Sequence, residues 1–166
     1  MNSGINKRGE FGIGIFYLVV VLFVLGLLFV LTYKPFTELN DDIQADVNLP
    51  NESKVLLQDD VDRYPSTFDS AFGLILFFLW LAILIGAYYV DESPFILIVG
   101  IVLLVIIIII AGFLNNAYAE TVSQDEFSSY IDSFPITNFV FNNLIIFVLV
   151  MMITVFVTMF IKNRFA

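Results

Sequence analysis

Residues 72–114 read FGLILFFLWLAILIGAYYV, then DESP, then FILIVGIVLLVIIIIIAGFL. Two uncharged runs, 72–90 and 95–114, are separated only by Asp91-Glu92-Ser93-Pro94. A bilayer's hydrocarbon core is about 30 Å thick, so a helix needs about 20 apolar residues to cross it. Each run has the length of one crossing. Each must be helical, because lipid offers the backbone no hydrogen-bonding partner. The short break predicts a tight antiparallel hairpin at 91–94. Pro94 ends one helix and opens the next, at a position that needs no N–H.

Two further runs flank this pair, at 11–33 and 139–161, and they also lack Asp, Glu, Lys and Arg. Four crossings predict an all-α polytopic membrane protein, a single membrane domain over 1–166. The longer connections, 34–71 and 115–138, lie on the face opposite the hairpin. Composition agrees: 60% of the chain is hydrophobic and 14% charged, against about 45–50% and 25% in soluble domains. Lys7 and Arg8 precede the first run as they would a secretory signal. That run outlasts a signal's apolar region of about 7–15 residues, and Lys34-Pro35-Phe36 offers no small-residue cleavage site, so it reads as a retained anchor. Tyr33, Tyr88, Tyr89 and Tyr118 fall at the expected membrane–water interfaces, where amphipathic rings collect.

The longer loops carry helical periodicity. Phe36, Leu39, Ile43 and Val47 recur three or four residues apart, as do Leu57, Val61 and Tyr64, with Leu49-Pro50 between the sets. This predicts two short amphipathic helices joined by a turn. Phe127, Tyr130, Ile131 and Phe134 repeat the spacing in the second loop, where Pro135 is expected to end the helix. The polar faces are acidic, which suits packing into a cap or against another protein better than lying on lipid.

Charge and composition restrict the chemistry. The chain has no Cys and no His, which removes disulfides, thiol nucleophiles, imidazole bases and the usual ligands of zinc, copper or haem. The net charge is −9. Asp41, Asp42 and Asp46, and Asp59, Asp60 and Asp62, lack the glycine and closing Glu of a calcium loop and read as solvated acidic surface. Asn51-Glu52-Ser53 has the form of a glycosylation acceptor, a pattern of low specificity. Carriers place ionisable groups inside the bilayer and interrupt their helices there; these runs do neither. No catalytic residue, cofactor or metal site is read, and the chain is expected not to be an enzyme.

What remains is packing chemistry. Asn115 and Asn116 close the third run, and Asn138, Asn142 and Asn143 open the fourth on the same side. They predict an interhelical polar clamp, with a polar pore mouth as the alternative. Trp80 lies near the middle of its run, where its indole N–H needs a partner, so it is expected to face protein. Ala82 and Gly86 form a small-xxx-small pair, and Thr154 and Thr158 a looser one, both predicted packing sites. The isoleucines after Val105 are expected to face lipid widely.

The order of landmarks from Phe68 to about residue 162 resembles a family of small membrane proteins of tailless icosahedral viruses that enclose a membrane beneath the capsid. The resemblance rests on Phe68-Asp69, Ala71-Phe72-Gly73, Asp91, Pro94-Phe95, Asn116-Ala117-Tyr118, Phe134-Pro135-Ile136-Thr137-Asn138 and Asn142-Asn143-Leu144. Where that pattern continues Leu-Pro, this chain has Leu144-Ile145. The resemblance implies a structural protein of a virion's internal membrane, organising the bilayer and meeting capsid proteins. The expected partners are membrane lipid, other membrane or capsid proteins of the particle, and further copies of the chain. Lys7, Arg8, Lys162 and Arg164 bias the termini to the inner side. They could touch nucleic acid there, though four charges make a small footprint. Two other classes compete: a non-catalytic accessory subunit of a cellular membrane complex, and a holin-like or channel-forming protein.

Overall fold

A computed structural model describes residues 6–89, 94–128 and 130–165, with side chains from residue 17 onward apart from 18, 90–99, 125–126, 129 and 163–166. The chain is an all-α, multi-pass membrane protein. Its helices are α1 (Asn6–Ala45), α2 (Asn51–Tyr89), α3 (Pro94–Val122), the single turn α4 (Asp125–Ser128), α5 (Pro135–Asn142) and α6 (Leu144–Phe165), with a 3-10 turn at Ile131–Ser133. Four of them are long and apolar enough to cross a membrane: α1, α2, α3 and α6. The link at 90–93 and the side chains of Lys7, Arg8 and Arg164 lie outside the described residues.

The four long helices form a ring in the order α1, α2, α6, α3. Along their described lengths α2 and α3 pack on α1 and α6 rather than chiefly on each other, although only a short link joins them. The reason lies in the side chains. α6 turns Leu144, Val148, Met151, Met152, Val155 and Met159 inward at three- and four-residue spacing, enough to serve two neighbours. On α3, Ile107 and Ala111 are buried, while Ile101, Val102, Val105, Ile106 and Ile109 face outward. Uniform apolarity conceals that division in the sequence.

The first long loop is not a pair of free-standing helices. Its two amphipathic segments continue α1 and α2 without interruption past Pro35 and Pro65. A proline inside a helix costs about 3 kcal/mol or more, through a lost hydrogen bond and a clash with the preceding turn. Lateral packing offsets that cost. Tyr33 stacks on Tyr64, with ring centroids 5.5 Å apart, and Phe36 and Phe68 also lie against Tyr64. Thr32 Oγ1 and Tyr64 Oη are 2.6 Å apart across the pair, and Val61 and Pro65 are buried. The result is a two-helix arm, turning at residues 46–50 and running directly into two membrane spans.

In the second loop, Pro135 opens a helix instead of closing one. It occupies the first turn of α5, where its fixed φ suits a helix start and its missing N–H goes unnoticed. Periodicity alone gave Pro135 the wrong side of the boundary. α3 runs on to Val122, past the expected end at 114. The fourth run is divided at Asn143, which separates α5 from the apolar span Leu144–Lys162. Tyr118, expected at an interface, is completely buried within the protein.

Candidate functional site

The polar and aromatic groups converge at the arm-side end of the ring, around α5. Phe134 precedes this helix and provides no side-chain cap. The free N–H groups of the first turn must then find an acceptor elsewhere. Asp69, on α2, provides it. Its Oδ2 accepts from Ile136 N at 2.8 Å, and its Oδ1 accepts from Thr137 N and Thr137 Oγ1, both at 2.8 Å. Asp69 is 3% exposed and Thr137 wholly buried. A carboxylate from one helix thus caps another that is 66 residues away in sequence. Position at a positive helix end and three donors both favour a carboxylate there.

Below this cap, Phe141 fills the centre of the ring. Its ring lies 5.2 Å from Phe23 on α1, 5.6 Å from Phe72 on α2 and 4.8 Å from Tyr118 on α3. The approach to α1 requires a residue without a side chain: a Cβ on Gly26 would lie 2.5 Å from Phe141 Cε2 and 3.1 Å from Phe72 Cε2. One aromatic side chain on a two-turn helix thereby touches three of the long helices.

Three of the five asparagines join this cluster. Tyr118 Oη donates to Asn138 Oδ1 at 3.3 Å, and Asn142 Nδ2 donates to the same oxygen at 2.6 Å. With its amide turned so that nitrogen faces these acceptors, the orientation that satisfies both ends, Asn115 Nδ2 donates to the main-chain oxygens of Phe141 and, at 3.2 Å, Asn142. These are carbonyls of the last turn of α5, which lack partners within the helix. α3 therefore holds the C-terminal end of α5 while Asp69 holds its start. Asn143 instead bonds back to Phe139 O at 2.8 Å, and Asn116 lies exposed on α3.

The expected packing sites divide in the same way. Trp80 faces protein, and its Nε1 donates to Thr154 Oγ1 at 3.1 Å, tying α2 to α6 in mid-bundle. Thr154 Oγ1 donates in turn to Met151 O, and Thr158 Oγ1 donates to Thr154 O. The Ala82–Gly86 pair is displaced from the contact. Ala82 is exposed, and the buried small residue is Ala87, beside Ile83. Trp80, Ile83 and Ala87 share a face at three- and four-residue spacing, and Ala82, two residues on from Trp80, falls on the opposite side of the helix.

Asp69, Phe141, Gly26 and Tyr118 carry more of this architecture than the sequence reading gave them. Asp69 left one trace: a lone carboxylate three residues before an apolar run, in a chain with a proline-led helix that lacks a local cap. Gly26 left none among its apolar neighbours.

Chemically, the cluster holds and spaces helices. Among the described residues no group of three or more Asp or Glu could hold a metal ion. The Asp69 oxygens are spent on α5. The fold and this cluster define the class: an all-α membrane protein with four helices long and apolar enough to span, two of which continue into a helical arm. Comparison with family models, with curated proteins and with solved structures finds no match.

Proposed function

We propose that the chain is a non-catalytic structural protein of a virion's internal membrane, organising the bilayer and linking it to capsid proteins through the arm. The observation that carries this reading is the continuity of α1 and α2, each a single helix from bilayer to arm tip. An arm without a loop at its base fixes the height and direction of whatever binds its end. A flexible tether would not. At about 1.5 Å per residue, α1 is about 60 Å long, twice the hydrocarbon thickness.

Several of the residues on which the resemblance rests share a structural role in this chain. Asp69, Phe72, Tyr118, Thr137, Asn138 and Asn142 come from separate stretches of sequence, yet they meet in one cluster. The basic residues near the termini favour an orientation with the arm on the outer side, toward a shell.

Mass spectrometry of purified particles tests the reading. The chain should be present in fixed proportion to the coat protein and should follow the lipid fraction when the shell is stripped. An abundant coat protein without this chain overturns it.

A further inference from the structure

The tip of the arm is built inside out. Between its two helices the contacts are polar: Asn40 Nδ2 donates to Gln58 Oε1 at 2.8 Å, Gln44 Nε2 to the Lys54 carbonyl at 2.8 Å, and Lys54 Nζ to the Gln44 carbonyl at 2.8 Å. Apolar side chains face out instead. Val47 is 92% exposed, Val55 67% and Leu56 64%. Val55 and Leu56 lie one helical turn from Glu52 on one side and from Asp59 and Asp60 on the other, which places them on one outward face. A hairpin selected only for its own stability would bury these residues and expose the amides.

We infer that this outward face of α2, with the tip at Val47, is a docking surface for a protein that presents an apolar cleft rimmed by Lys and Arg. This rests on the reading of the arm as a link to other proteins and names the chemistry of the partner. Charge decides among occupants. Residues 34–71 hold nine acidic and three basic side chains. All three of those bases act within the arm: Arg63 pairs with Asp59 at 3.1 Å, Lys34 lies 3.8 Å from Glu38, and Lys54 holds Gln44. A second copy would bring the same negative field and be repelled. The membrane surface is out of reach, since Val47 is 14 residues, about 20 Å of helix, beyond Tyr33. A basic rim around an apolar centre satisfies both components of the face.

The test uses the full chain in its own membranes, with a photo-reactive amino acid in place of Leu56. Irradiation at 0.15 M salt should join it to one protein whose cross-linked peptide carries Lys or Arg beside apolar residues. Yield should fall about tenfold at 1 M salt, where the screening length shrinks from about 8 Å to about 3 Å. It should fall as far when Asp59→Lys and Asp60→Lys are introduced together, or when Val55→Asp is introduced beside the probe. All three positions are exposed, so the fold should survive, and the exchange pattern of the α5 amides verifies it. Cross-links to lipid, to a second copy, to an acidic peptide or to nothing overturn the inference, as does a yield indifferent to salt. The two readings separate cleanly. A chain found in particles with an acidic neighbour retains the virion role and loses this surface. A basic neighbour from a cellular complex does the reverse.

Discussion

Asp69→Ala is the most direct probe of how the bundle is closed. The substitution removes both oxygens that accept from Ile136 N, Thr137 N and Thr137 Oγ1. A buried donor left without a partner costs about 1–3 kcal/mol. Thr137 is wholly buried, so its two donors bear most of that cost, whereas the Ile136 bond is only part-buried. The three losses overlap because they share one helix start, which gives about 3 kcal/mol in all. About 1.4 kcal/mol corresponds to tenfold, so local opening of α5 should become roughly a hundredfold more frequent. Hydrogen exchange on the chain in lipid nanodiscs reads this directly, as faster exchange at the amides of 136–142. Asp69→Asn keeps one accepting oxygen but loses the charge and should show about a tenfold effect. Trp80 is the single tryptophan and lies far from the cap, so its fluorescence should stay constant and verify the remaining bundle. If exchange in α5 is unchanged within threefold in Asp69→Ala, the cap is not what holds this helix, and the account of the cluster fails.

Four other outcomes follow from the packing. Gly26→Ala should destabilise thermal unfolding in detergent by about 1–3 kcal/mol, because its Cβ meets the enclosed Phe141 ring; Gly112→Ala, whose Cβ would lie 3.8 Å from Ile145 Cδ1, should fall within about 0.5 kcal/mol of the parent. Ala87→Leu should overpack the bundle by a similar 1–3 kcal/mol while Ala82→Leu is tolerated, and equal effects in the same melts would contradict the placement of the α2 contact face. Thr154→Val should cost only about 0.6 kcal/mol, the membrane average for such a bond, but should shift Trp80 emission to the blue as the indole loses its acceptor. Because the chain has no cysteine, Val47→Cys should react with a membrane-impermeant maleimide from one side only, and Ala82→Cys should resist it from both; labelling of position 82 would mean that α2 meets water there.

The crossings were legible because hydropathy over about 20 residues is set by the solvent, and each run meets the length that lipid demands. Trp80 was legible because one indole N–H in an apolar run needs an acceptor. The pairing of helices was not. Phe141 and Phe139 are alike in hydropathy, yet one fills the ring and the other points outward. That choice depends on which neighbour lacks a side chain, and Gly26 lies more than a hundred residues away. Pro135 misled, because it starts a helix that a distant carboxylate completes. Pro65 lies inside α2, beside the aromatic cluster of Tyr64 and Phe68. The amides fell between these cases: topology brought all five to one level, but rotation about α3 and at the α5–α6 break decided that Asn115, Asn138 and Asn142 meet while Asn116 and Asn143 do not.

An unbroken helix that begins in lipid and ends well outside it is also a lever whose fulcrum is the bilayer. Spanning helices adjust to membrane thickness by tilting, about 20° on average. For an arm reaching about 20 Å beyond the surface, each additional 10° of tilt displaces the tip sideways by about 3–4 Å. A thinner or thicker membrane would therefore be read out at the tip as a change of position, and a tip held in place would in turn press its preferred thickness and curvature onto the lipid beneath.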